Sequence, residues 1–132
     1  MPEQRNPYKG SPPRPWIRLV LLSEQGNRRQ IHAFVDTGSP CALIVSLNLL
    51  DEFNFGFLRG ISTNFGNLES GWLRVQIPEA DFDEEIVGYG GDAVITTARS
   101  SHSTFAFEAL AGLPLLRMMQ YGGNKKIFWI RK

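Results

Sequence analysis

Residues 34–39 read Phe34-Val35-Asp36-Thr37-Gly38-Ser39, so that a carboxylate directly follows an apolar run and precedes a tight turn. The apolar run starts at residue 31 and is typical of a β-strand, and a second apolar run covers residues 42–45. A charge at the end of a buried strand is costly unless it has a function. Gly38 allows the backbone to turn sharply after the acid. We therefore expect the chemistry of this protein at Asp36.

The patterns on both sides of this stretch predict short strands, few helices and many turns. The first half predicts a hairpin from strands over 15–22 and 29–35, a short helix over 47–53 with Ser46 as its N-cap, and a second hairpin from strands over 57–65 and 71–77 with its turn at Gly66-Asn67. The second half predicts an acidic connecting loop over 78–85, strands over 86–89 and 93–97, a polar loop over 98–103, a short helix over 113–117, a turn over 122–124 and a closing strand over 126–130.

The composition predicts one β-rich domain with a short arm. A length of 132 residues suits a single domain, a hydrophobic fraction of 42% can build a core, and 13 Gly with 8 Pro favour strands and turns over long helices. Residues 1–14 contain four of the prolines and no hydrophobic periodicity. We expect them to form a flexible, Pro-rich arm before a domain that covers residues 15–132.

The charges and the cysteine count exclude several classes of partner and location. The net charge is +1, and no run of basic residues exceeds two, so a nucleic-acid partner is not expected. The N-terminus is polar and no apolar run reaches the length of about 20 residues that spans a bilayer, so neither a secretory signal nor a membrane partner is expected. The single cysteine, Cys41, cannot form an internal disulfide, which fits a reducing compartment, and we expect a cytoplasmic protein.

Two motifs resemble those of the aspartic peptidases. Two apolar residues followed by Asp-Thr-Gly-Ser resemble their active-site loop, and Leu110-Ala111-Gly112 before a short helix resembles their second signature. The chain length resembles that of the half-size, retropepsin-like members, and the sequence contains no second Asp-Thr-Gly or Asp-Ser-Gly. The resemblance implies a mostly all-β fold, namely a retropepsin-like closed β-barrel with a flap hairpin and one or two short helices. It also implies a homodimer in which each subunit supplies one aspartate.

The resemblance assigns a role to each residue of the acid loop. The two Asp36 carboxylates of a dimer would act as base and acid in the hydrolysis of a peptide bond by water, with no metal and no cofactor. Thr37 would hydrogen-bond across the dimer beneath the acids, Gly38 would let the substrate approach, and Ser39 would bond the outer carboxylate oxygen. The expected substrate is an extended protein or peptide segment bound through its backbone.

The resemblance also assigns residues outside the acid loop. Gly112 would lie beside Asp36, with Leu110 on the same element, and the flap that closes over a bound peptide would include Phe65, Gly66 and Asn67. Viral members follow the glycine of the second signature with Arg and then Asp or Asn, whereas this chain has Leu113 and Pro114. The ion pair that this Arg makes in the viral dimer is therefore missing.

Other interpretations of the same residues stay open. The acid loop can be an ordinary turn after a strand, and the chain can be a non-catalytic binding or dimerisation module that keeps the retropepsin fold, or an unrelated small β-barrel without an active site. His32, His102 and Cys41 are not spaced as metal ligands, and Cys41 has no paired histidine in the sequence that would indicate a catalytic thiol. We expect these three residues to be structural or solvent-facing.

Overall fold

The computed structural model describes residues 2–63, 66–102 and 106–132. Within them the chain forms, in order, β1 (Glu3–Pro7), β2 (Trp16–Leu22), β3 (Arg28–Asp36), β4 (Leu43–Val45), α1 (Leu47–Phe53), β5 (Phe57–Thr63), β6 (Gly66–Ile77), β7 (Phe82–Gly90), α2 (Asp92–His102), β8 (Ala109–Gly112), α3 (Leu113–Leu116), β9 (Gln120–Gly123) and β10 (Ile127–Arg131). A single 3₁₀ turn, Pro78–Ala80, precedes β7. None of the helices in these ranges is long and apolar enough to cross a bilayer.

Six strands close into a β-barrel in the order β2-β3-β8-β4-β7-β6. The ring closes where residues 20–22 of β2 pair with residues 74–76 of β6. The strand β5 pairs with β6 and extends the sheet outside the ring, and β1, β10 and β9 form a separate three-stranded sheet. The prediction of an all-β closed barrel with a few short helices is confirmed.

Period-two alternation of apolar residues builds the barrel interior. Ile17, Leu19 and Leu21 of β2 are buried, while the residues between them are more exposed. The same alternation places residues 73, 75 and 77 of β6 and residues 31, 33 and 35 of β3 inside the barrel. The expected strands over 15–22 and 29–35 are therefore confirmed, with small shifts of their ends, whereas the strand expected over 71–77 starts well before its predicted beginning, at Gly66.

A second core lies on the outer face of the barrel, where β3, β4 and β8 meet α2. It contains buried residues of the strands, of the helix and of the segments that precede β4 and β8: Trp16, Phe34, Cys41, Ile44, Leu68, Ile95, Ala98, Phe107 and Leu110. Because β8 is buried on both faces, its four residues are small or apolar throughout. This second core forms the base on which the candidate site is built.

The first residues of the chain form a strand and not the expected flexible arm. Residues 3–7 pair antiparallel with residues 127–131, which makes β1 the neighbour of β10. The buried side chains on β1 are Gln4 and Asn6, and they bond to the backbone of β2. A search for hydrophobic periodicity misses such a strand, because its inward side chains are polar.

The expected strand over 93–97 and polar loop over 98–103 are wrong, because residues 92–102 form the helix α2. The β-branched residues of this segment favour a strand in isolation. Ile95 and Ala98 are three positions apart and lie on one side of a helix, where both are buried in the second core. Tertiary packing therefore overrides the local preference.

Three smaller predictions also need correction. The acidic segment over 78–85 is a 3₁₀ turn followed by β7, which begins at Phe82, and is not a loop. The predicted turn residues Gly66 and Asn67 belong to β6, where they pair with Thr63 and Ser62. The first two residues of the predicted turn over 122–124 end β9 and pair with β10.

Candidate active site

Asp36 is the last residue of β3 and lies in parallel register with Gly112, the last residue of β8. The N–H of Gly112 donates to the Ala42 carbonyl oxygen at 3.0 Å. A Cβ on Gly112 would meet the Ser39 carbonyl oxygen at 2.9 Å and would overlap the Cys41 carbonyl oxygen. The backbone of the acid loop therefore approaches β8 so closely that only glycine fits, and Gly112 lies beside Asp36 as expected.

The turn after Asp36 is held by the carboxylate and the backbone of the acid itself. The N–H of Gly38 donates to Asp36 Oδ1 at 3.1 Å, and the N–H of Ser39 donates to the Asp36 carbonyl oxygen at 3.1 Å. This geometry is an Asx turn, in which an acid fixes the direction of its own loop. One carboxylate oxygen is thereby oriented, and Asp36 remains partly exposed.

Ser39 and Thr37 are placed differently from one another. Ser39 is buried, and its hydroxyl donates to the Cys41 carbonyl oxygen and accepts from the Cys41 N–H, both at 3.3 Å. The expected bond from Ser39 to the outer oxygen of the carboxylate is therefore wrong within this chain, because the hydroxyl stabilises the next turn of the backbone. Thr37 is exposed, and it lines a surface cavity together with Leu113, Pro114 and Arg117.

Asp36 lies on a cavity of about 290 Å³. Its lining is mainly apolar and comes from the acid loop, the barrel, the β5–β6 hairpin and α2: Asp36, Gly38, Ser39, Pro40, Cys41, Ile44, Thr63, Leu68, Val94 and Leu110. Among these lining residues Asp36 carries the only carboxylate. An oriented acid at the edge of an apolar cavity is an arrangement suited to acid–base chemistry on a bound ligand.

The β5–β6 hairpin contributes two of the cavity residues, Thr63 and Leu68. The Thr63 hydroxyl donates to the Gly66 carbonyl oxygen at 2.7 Å, and the Ser70 hydroxyl donates to the Arg59 carbonyl oxygen at 2.7 Å, so side chains reinforce the ladder between the two strands. Of the three predicted flap residues, Gly66 and Asn67 begin β6, and Phe65 lies outside the described residues.

Leu110, which the resemblance places near the site, lines the same cavity as Asp36, whereas the sequence does not indicate the other apolar walls. Leu110 pairs with Phe34 on one side and with Ile44 on the other, which brings it to the base of the cavity. Val94 was missed because its segment was assigned to a strand. The pattern of Ile95 and Ala98 after Asp92, an acid suited to a first helical turn, is the signal that could have indicated the helix.

The thiol and the described imidazole do not add a second reactive group to this site. Burial raises the pKa of the Cys41 thiol, so the nucleophilic thiolate is disfavoured. His32 packs against the Trp16 ring, with 4.9 Å between the ring centroids. Burial and then the nearby Lys9 lower the pKa of His32. Among the described residues no group of three or more His, Cys, Asp or Glu side chains is arranged to hold a metal ion.

Comparison of the chain with models of protein families, with curated proteins and with solved structures gives no match in any of the three. The features of the chain that indicate a function are therefore the geometry around Asp36 and the two sequence motifs.

Proposed function

We propose that this protein is a homodimeric aspartic endopeptidase of the retropepsin-like type, in which Asp36 is the catalytic residue of each subunit. The observation that carries the proposal is the Asp36 carboxylate, oriented by the N–H of Gly38 at the edge of an apolar cavity and placed beside Gly112 at the ends of two parallel strands. The two motifs that resemble the aspartic peptidases thus meet in space.

The proposed reaction needs two carboxyl groups, one ionised and one protonated. The ionised Asp36 accepts a proton from a water molecule, and the protonated Asp36 donates its proton to the carbonyl oxygen of the peptide bond that the water attacks. Two carboxylates a few Å apart do not both ionise readily, so the pair shares one proton. No covalent intermediate with the protein forms in this scheme.

A second copy of the chain supplies the second carboxyl group. A single chain brings one carboxylate to the described cavity, which is half of the required pair. A two-fold axis close to Asp36 would also bring the exposed Thr37 of each chain near its counterpart. The hydrogen bond from Gly38 to Asp36 and the pairing of Gly112 with Asp36 would then occur twice, once in each half of the site.

A cytoplasmic location stays a prediction from the sequence.

The experiment that tests the proposal is cleavage of a mixed peptide library by the wild type and by Asp36→Asn, from mildly acidic to neutral pH. The side-chain amide that this variant introduces keeps the size of the carboxylate but cannot act as the base, so we expect cleavage to vanish. The matched control is Asp51→Asn, which makes the same change at an exposed position of α1. Cleavage by Asp36→Asn at the wild-type rate would refute the proposal.

A non-catalytic binding module is the second candidate, and the mainly apolar lining of the cavity favours it. Such a cavity can bind an apolar side chain of a ligand whether or not a second carboxylate is present. In that case the wild type and Asp36→Asn would both leave the peptide library intact, and both would bind peptides with similar affinity.

A further inference from the structure

One wall of the Asp36 cavity is formed by α2, the helix between β7 and β8. Ile95 and Ala98 of this helix are buried in the second core, whereas Val94 is only partly buried and lines the cavity. Ile95 and Ala98 thus anchor the helix, and Val94 contacts the cavity that Asp36 also lines. The helix therefore adds a side chain to the site without taking part in the barrel.

Hydrogen bonds hold the helix at its start to β4 and α1, and near its end to the segment that precedes β8. The N–H of Gly91 donates to the Val45 carbonyl oxygen at 3.0 Å, and Asp92 Oδ1 accepts from the N–H of Leu47 at 3.0 Å. Further along, Arg99 Nε donates to the Phe107 carbonyl oxygen at 2.6 Å. A wall held in this way keeps its position when a ligand binds, so it can select ligands by size.

Val94 differs from the other aliphatic walls in its exposure. Ile44, Leu68 and Leu110 are each at most 5% exposed, so their side chains belong to the second core. A change of size at these three positions would disturb the interior of the second core, whereas Val94 packs only against the edge of that core, so a change there alters the cavity with less effect on packing. The cavity of about 290 Å³ lies at the small end of ligand pockets, which suits one side chain of a longer ligand.

We infer that Val94 is a specificity-determining residue, whose side chain sets the size of the apolar group that the cavity accepts. The ligand is an extended peptide whose apolar side chain enters the cavity while the adjacent carbonyl group faces Asp36. This inference rests on the proposed function, because it places the scissile bond at Asp36.

The test measures binding and cleavage separately. Six-residue peptides with Ala, Leu or Phe at one central position and a reduced, uncleavable central amide are titrated against the wild type and against Val94→Ala. We expect Val94→Ala to shift the ratio of the Phe and Leu peptide affinities towards Phe by about tenfold or more relative to the wild type, the discrimination that one or two methyl groups give in an apolar pocket. Val94→Phe should weaken the binding of the Leu peptide and spare that of the Ala peptide.

Val20→Ala is the matched control, because it removes the same atoms from a partly exposed valine that pairs with Gln30 and Gln76 and does not line the cavity. The ratio of its affinities for the Leu and Phe peptides should equal that of the wild type. An unchanged ratio in Val94→Ala, or a wild type that binds none of the peptides, would overturn the inference. Cleavage of the corresponding ordinary peptides by wild type and Asp36→Asn decides the peptidase proposal independently. A shifted binding ratio without any cleavage would keep Val94 as the selecting residue and refute the peptidase.

Discussion

Gly112 is the residue at which β8 makes its closest approach to the acid loop. The space for a side chain is occupied by the carbonyl oxygens of Ser39 and Cys41, and both belong to backbone that cannot rotate away as a side chain would. The same backbone continues into the turn that orients Asp36. The position of the carboxylate therefore depends on the absence of a Cβ at residue 112.

We expect Gly112→Ala to destabilise the fold by about 1–3 kcal/mol or more, the usual range for adding atoms where there is no space for them. The free energy of unfolding in urea measures this effect. Gly56→Ala is the control, because its new Cβ would lie 3.7 Å from the nearest atom, in the Trp72 ring, which is an ordinary contact. Equal stability of the two variants would show that the backbone of the acid loop can move away from β8 at little cost. The close approach at residue 112 would then not require glycine.

At the scale of single elements, side chains of β1 make the hydrogen bonds to one edge of β2 that the backbone of a neighbouring strand would otherwise make. The pairing of β2 with β6 starts only at Val20, so within the described ranges the first half of β2 lacks a neighbouring strand on that edge. Gln4 supplies the missing partners: its Nε2 donates to the Arg18 carbonyl oxygen at 2.9 Å, and its Oε1 accepts from the Arg18 N–H at 2.7 Å. Asn6 Nδ2 donates to the Trp16 carbonyl oxygen at 3.1 Å in the same way.

We expect Gln4→Ala to lower the free energy of unfolding by about 1–3 kcal/mol, because it leaves a buried donor and a buried acceptor of Arg18 without partners. Arg5→Ala, on the opposite face of the same strand, removes only an exposed ion pair with Glu3 and should change stability by less than about 1 kcal/mol. Urea unfolding of both variants measures the difference. If Arg5→Ala proved as damaging as Gln4→Ala, the bridging role of the Gln4 side chain would be ruled out.

The elements that could be predicted from the sequence are those whose own pattern agrees with their packing. Alternating apolar residues in β2, β3 and β6 face one core, and Ser46 accepts the N–H of Leu49 as an N-cap should. The strand β1 has no apolar pattern of its own, and in α2 the helical signal of Asp92, Ile95 and Ala98 competes with β-branched residues that favour a strand, so distant packing partners decide both elements. Gln4 meets Arg18 and Ile95 meets the second core only after the barrel has formed.

At the scale of the whole molecule, the sequence indicates Asp36, its neighbour Gly112 and Leu110, but not the other apolar walls of the cavity. Each of the two motifs is a short run of neighbouring residues, which can be recognised in the sequence. The parallel pairing of β3 with β8 then brings the two motifs together in one site. The walls come from four separate parts of the chain, among them residues 63, 68 and 94, and no local pattern links these positions. The part of the site that selects a ligand is thus a property of the folded barrel.

The proposed pairing of two chains leads to a prediction about mixtures of subunits. If each active site needs one Asp36 from each chain, a dimer of one wild-type and one Asp36→Asn subunit has a single carboxylate and is inert. When subunits exchange freely in an equal mixture, about a quarter of the dimers contain two wild-type chains. The activity of a fixed amount of wild type should therefore fall to about half when an equal amount of Asp36→Asn is added.

The measurement is the initial rate on one peptide substrate after the mixture has been incubated long enough for subunits to exchange. An equal amount of Val20→Ala is the control addition, and it should raise the rate, because this variant keeps both carboxylates of every mixed dimer. A rate unaffected by Asp36→Asn, at concentrations where sedimentation shows exchanging dimers, would mean that one Asp36 is sufficient for cleavage. The chemistry would then have to come from a single chain, and the two-carboxylate mechanism would be wrong even though the protein is a peptidase.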